Sequence, residues 1–162
     1  MDKRKTKQAG SDITLTRKIE APPEVVFEVW VNSRHLCKWW GPAGFSSPRC
    51  DIDPRPGGAI RIDMEAPNGT IYPMNGFFEE VVVPEKLVFT TNGIDSLDHS
   101  LFEVLNTVTF SGDRETTLTL QTHILKKTEE SMPYVEILET GWKESLERLD
   151  SYVTGLMLRR AG

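Results

Sequence analysis

The chain is poor in the residues that most often carry chemistry. It has two cysteines, Cys37 and Cys50, and three histidines, His35, His99 and His123, in 162 residues. The cysteines do not stand in C-x-x-C spacing and no second pair exists, which argues against a zinc site. Two reduced, half-buried thiols are expected. A metal site needs two or three ligands at fixed spacing, and no pair of histidines supplies one. There is no G-x-S-x-G elbow, no G-x-G-x-x-G and no G-x-x-x-x-G-K, so neither a hydrolase nucleophile nor nucleotide binding is supported. We expect no cofactor. No apolar run approaches the length of a membrane span. The formal net charge of −5 argues against nucleic acid, which needs a basic stripe. The basic start MDKRKTKQAGSD has no apolar stretch behind it and does not read as a signal peptide. The expected location is the cytoplasm, with a disordered arm over residues 1–11 and one domain over 12–160.

Periodicity supplies what motifs do not. Ile13 to Ala21 alternates, with Ile13, Leu15 and Ile19 on one face, and predicts a half-buried strand. Pro22-Pro23 stops it and opens a short helix, PEVVFEVWVN, in which Val26, Phe27, Trp30 and Val31 share a stripe. A second short helix runs from about Arg34 to Trp40 and ends at Gly41-Pro42. Strands follow at Phe45–Asp53, Ala59–Ala66, Thr70–Val83 and Lys86–Thr91. Asn68-Gly69 signals a hairpin, and Gly76 a bulge or close approach. Asn92 to Phe102 reads as a loop. Glu103–Ser111 and Thr116–Leu125 pair next, with Val108, Phe110, Leu118, Leu120 and Ile124 inward. Hairpin spacing makes the sheet antiparallel.

The chain closes on one helix, from Pro133 to Leu158, with Ser131 as its N-cap. Its apolar stripe is Val135, Leu138, Trp142, Leu146, Leu149, Val153 and Leu156. Glu139 with Lys143, and Glu144 with Arg148, make i,i+4 pairs on its wet side. At about 1.5 Å per residue it spans roughly 40 Å, enough to cross a sheet. An antiparallel sheet with one Thr-rich face and one apolar face must cover the apolar one. The expected architecture is therefore α+β, a bent sheet curled around the C-terminal helix.

This order of elements resembles the START-like (SRPBCC) superfamily. Within it the chain is similar to the branch named for the activator of Hsp90 ATPase homologue 1. The resemblance runs from about Ile13 to Val153. It rests on APPEVVFEVW, WWGP, the PGG before AIRIDM, GFFEEVVVPEKLVF and GWKESLERLDSYV. It implies a helix-grip fold with a cavity between sheet and helix. The superfamily is a container reused for lipid transfer, hormone binding, cyclisation and chaperone regulation, so fold alone does not assign the activity.

Three functions follow. The first is a non-enzymatic binding protein for a small, mostly apolar molecule, lined by Trp40, Met64, Met74, Phe89 and Trp142, with Ser145 as polar contact. Met and aromatic side chains suit such a pocket, and Tyr72, Phe78 and Phe102 are further candidates for its wall. Its mark is a cavity of the ligand size class, several hundred Å3. The same residues are also those of an ordinary filled core. The second is a module that regulates an Hsp90-type chaperone or pairs as a homodimer. A single domain departs here from the eukaryotic activator, which uses a second, N-terminal domain on its partner. The third is a cyclase- or hydrolase-like enzyme using a buried carboxylate raised in pKa by an apolar pocket, drawn from Glu79, Glu80, Asp95, Asp98 or Glu103. Trp142 stands beside Gly141, which costs about 1 kcal/mol against Ala inside a helix. Close sheet packing or free volume is expected to offset it.

Overall fold

The computed structural model describes residues 12–95, 97, 99–129 and 132–161. The expected arm, the Ser131 cap and Asp98 lie outside the described residues. Strand β1 (Ile13–Ile19) leads into α1 (Pro23–Val31) and α2 (Ser33–Trp39). Six strands follow: β2 (Ser46–Ile52), β3 (Ala59–Glu65), β4 (Ile71–Val82), β5 (Lys86–Ile94), β6 (Ser100–Gly112) and β7 (Thr116–Lys127). Helices α3 (Met132–Glu136) and α4 (Leu138–Ala161) close the chain. All seven strands form one antiparallel sheet in the order β1-β7-β6-β5-β4-β3-β2. The sheet curves around the C-terminal helix, as a helix-grip fold requires.

Alternation sets which face each strand buries. On β3, Ile60 and Ile62 are buried and Met64 is half-buried. On β4 the pattern is interrupted. The β4–β5 register shifts between Phe78 and Glu80, so Glu79 and Glu80 are both exposed and neither enters the core. A Cβ on Gly76 would overlap the carbonyl oxygen of Thr90, so only glycine permits the strand approach there.

Two expectations are corrected. Asn92 to Phe102 is mostly strand: β5 continues through Ile94 and β6 begins at Ser100. Gly93 pairs with Phe102, and a Cβ on Gly93 would overlap the Phe102 ring. Glycine weakens the strand signal, yet here it makes room for an aromatic side chain. The closing helix is also not continuous from Pro133 to Leu158, since it breaks at Ile137 between α3 and α4.

The core holds all four tryptophans with Phe27, Phe78, Phe89 and Phe110, under Trp142, Leu146, Leu149 and Val153 of α4. Each buried apolar side chain of this size contributes about 1.5–3 kcal/mol. On the far side of α4, Arg17 of β1 reaches Glu147 and Asp150, each at 2.9 Å. Burial works against the Arg17 charge, but the two carboxylates outweigh it and raise its pKa.

Candidate functional site

The paired tryptophans divide their work. Trp39 is 0% exposed and its Nε1 donates to the Val29 carbonyl at 3.1 Å, fixing α2 on α1. Trp40 ends α2 and turns into the aromatic cluster, 5.2 Å from Trp142 and 6.5 Å from Phe89 between ring centroids. Trp30 of α1 is the hub. It packs on Trp39 at 4.7 Å, stacks on Trp142 at 6.0 Å and meets Phe89 and Phe110 at 6.1 Å. Edge-to-face pairs of this kind add about 0.5–1.5 kcal/mol each beyond area burial. Trp30 carried only a helical-stripe signal in the sequence. Its central place needed the fold.

After Trp40 the chain turns through Gly41, whose φ of 109° favours glycine. Helix α4 grips this turn. Arg148 Nη1 donates to the carbonyls of Gly41 at 2.9 Å, Pro42 at 3.1 Å and Trp40 at 3.3 Å. Ser145 Oγ accepts from Gly41 N at 3.2 Å, and Glu144 Oε1 accepts from Ala43 N at 3.1 Å. Burial lowers the Arg148 pKa, though a guanidinium keeps its charge. The expected Glu144–Arg148 pair is thus replaced by a clasp on the loop, because backbone groups there need partners that water no longer supplies. The Glu139–Lys143 pair is present at 3.7 Å. The hydroxyl of Ser145, expected to meet a ligand, is engaged by Gly41.

Of the expected lining residues, Trp40, Phe89 and Trp142 share the cluster, while Met64 and Met74 are half-buried against it. The cluster is close to full. A cavity of about 10 Å3 lies between Trp30, Leu36 and Trp40 on one side and Ile60, Phe78 and Phe89 on the other. That is room for about one water. A Cβ on Gly141 would meet only Pro42 Cγ, at 3.8 Å, so close packing of sheet backbone does not explain that glycine.

The inner face is not purely apolar. Thr122 Oγ1 donates to Asn106 Oδ1 at 3.1 Å, and Asn106 Nδ2 donates to Thr91 Oγ1 at 3.1 Å. The three residues are 0%, 0% and 4% exposed. They cross β7, β6 and β5 beside the aromatic cluster. The Thr91 hydroxyl accepts, and its own proton has no acceptor among the described residues. The signal was available in the sequence: Asn106 and Thr122 fall at the inward parity of Val108 and Leu120.

Among the described residues no carboxylate is a buried side chain, and Asp98 lies outside them. Glu80 pairs with Lys86 at 3.2 Å. Asp95 is held below the usual carboxylate range by the backbone N–H of His99, then that of Leu97 and the His99 ring. That is opposite to what a general acid in an apolar pocket requires. Among the described residues no cluster of His, Cys, Asp and Glu is arranged to hold a metal ion. Cys50 is a half-buried thiol pushed up to about 12, first by burial and then by Cys37 and Asp51. It is not an activated nucleophile. No helix among the described residues is long and apolar enough to cross a membrane.

The family description "Activator of Hsp90 ATPase homolog 1-like protein" matches residues 20–154. No curated protein matches the chain. Among solved structures, a protein from Arthrobacter aurescens superposes with a TM-score of 0.79 at 20% identity, covering 88% of this chain and 85% of that one. The AHSA1 protein from Silicibacter pomeroyi gives a TM-score of 0.72 at 27% identity, covering 91% and 98%. A protein from Chromobacterium violaceum gives 0.71 at 26% identity, covering 87% and 95%.

Proposed function

The chain belongs to the activator of Hsp90 ATPase homolog 1-like family, and we propose that within it this member binds a small, mostly apolar molecule between the sheet and α4. One observation carries the reading: the buried polar chain Thr122–Asn106–Thr91 on an otherwise apolar face. A core selected for stability alone places Leu or Val at such positions, because buried amides and hydroxyls lose water and regain less. A polar group set into an apolar wall orients a ligand. The ligand body contacts Phe89, Met74, Met64, Trp40 and Trp142, and its polar group meets the Thr91 hydroxyl. The space beside Trp30 is closed in this conformation, so binding requires the aromatic cluster to open.

The test is a fluorescence titration with N-phenyl-1-naphthylamine, a neutral apolar probe. We expect saturable binding at one probe per chain. Met74→Glu, which sets a charge on the inner face at a half-buried position, weakens it by about tenfold or more. A protein that shows no saturable binding while remaining folded overturns the reading.

A second reading is favoured by the filled core together with the outer face. Ile71 and Phe77 of β4 are 45% and 46% exposed. They lie at one parity, opposite Met74. On this reading the outer face docks an Hsp90-type chaperone. A pull-down that is lost on Phe77→Ser tests it.

A further inference from the structure

Trp30 Nε1 is buried and has no hydrogen-bond partner among the described residues. The indole N–H is a donor only, so it cannot be satisfied by reversing its role. Trp39, on the next helix, shows the ordinary solution: its Nε1 donates to the Val29 carbonyl. Trp30 itself is 3% exposed and lines the cavity between α1, α2 and the sheet. The rest of that wall is apolar: Leu36, Ile52, Ile60, Ile62 and Leu87 with aromatic rings. A water there would find one donor and no further partners, where two to four are needed to hold it. A residue with an unspent donor on the wall of an apolar void is a costly choice for a core and a suitable one for a ligand that brings an acceptor.

We propose that this void is the inner end of the ligand site, and that Trp30 Nε1 is its specificity-determining donor, taking a ligand with a carbonyl or ether oxygen on an apolar body. This deepens the proposed function and rests on it. This inner end lies under the two short helices, and the site runs from it toward Trp142 of α4. Its cover is thin. Helix α2 has seven residues, too few to be stable alone. It is held by the Asn32 side chain accepting from Arg34 N at 3.0 Å and by His35 Nδ1 against the Tyr152 hydroxyl at 2.6 Å. The clasp on Trp40, Gly41 and Pro42 anchors its end. Phe89 lines the void, and Thr91, two residues further along β5, shares its parity and carries a second donor.

The experiment compares two probes of nearly one shape, cyclohexanone and methylenecyclohexane, as competitors of N-phenyl-1-naphthylamine on the full chain. Measured against the alkene, the ketone is expected to lose about tenfold in affinity in Trp30→Phe, the worth of one hydrogen bond. A second readout needs no variant: in the wild-type 15N–1H spectrum, the Trp30 indole proton moves downfield with the ketone and not with the alkene. A ketone-to-alkene ratio that is the same in wild type and Trp30→Phe, with an unmoved indole resonance, overturns the donor role and leaves the apolar-ligand reading standing. Failure of both probes to compete, while N-phenyl-1-naphthylamine binds, overturns the void as part of the site. If N-phenyl-1-naphthylamine itself does not bind, the underlying reading falls and this inference with it.

Discussion

Gly141 shows how a residue can be misjudged from its neighbours in the chain. Beside Trp142, on the buried stripe of a long helix, it suggests a tight contact or a cavity. A side chain there would meet only Pro42, at an ordinary van der Waals distance of 3.8 Å. Gly141→Ala is therefore expected to stabilise the protein by about 0.5–1 kcal/mol, read as a rise in urea midpoint at unchanged slope. An unchanged or lowered midpoint sinks the assignment. Gly93→Ala is expected to do the reverse, since Phe102 occupies that space. Asp95 makes a pH prediction at the same scale. Its pKa is lowered in the folded state, chiefly by the backbone N–H of His99. Its contribution to the β5–β6 connection is thus complete above the unfolded value, about 3.9, and is lost as pH falls through the lower folded value. NMR titration of the Asp95 carboxyl should give a midpoint below that of a free aspartate, abolished when acid unfolds the chain.

At the scale of elements, α2 and the turn after it depend on α4. One Arg148 nitrogen serves three carbonyls that the fold removes from water. Arg148→Met keeps the apolar stem and removes the donors. It should cost about 2 kcal/mol, the range for hydrogen bonds to a charged group. The loss should localise as faster amide exchange at Gly41 and Ala43, with β6 and β7 unaffected. Uniform loss of protection across the sheet argues against the clasp. The sequence placed Arg148 in an i,i+4 pair with Glu144, which is sound for an isolated helix. Both side chains instead turn to backbone groups, which have fewer alternatives than a carboxylate in water. The Asn92–Phe102 segment failed for a related reason. Asn, Gly and Asp weaken local strand propensity, but pairing with β4 and β6 overrides it.

Across the whole molecule, one cluster joins both ends of the chain. Trp30, Trp39, Trp40 and Trp142 belong to α1, α2 and α4, and their rings pack on Phe89 and Phe110 from the sheet. Tryptophan fluorescence therefore reports on the junction of all layers, and far-UV circular dichroism on the sheet and helices. The two signals should give coincident urea midpoints, as expected of a two-state domain. A fluorescence transition preceding the dichroism by a clear margin would show that the helices detach as a separate unit.

The sequence by itself determined the order of elements, the antiparallel sheet, the apolar stripe of the last helix and the family resemblance. These follow from period-two and period-3.6 patterns and from Pro and Gly punctuation, which act over a few residues. Tertiary structure alone decided the rest. It showed which aromatic candidates meet, because that depends on how rings from the helices and the sheet come together. It turned Ser145 and Arg148 from ligand contact and surface charge into a clasp on the WWGP turn. It also left the Trp30 indole without a partner and linked Asn106 to two threonines on neighbouring strands. Hydrogen-bond satisfaction is a property of three-dimensional neighbours, and no spacing in the chain records it.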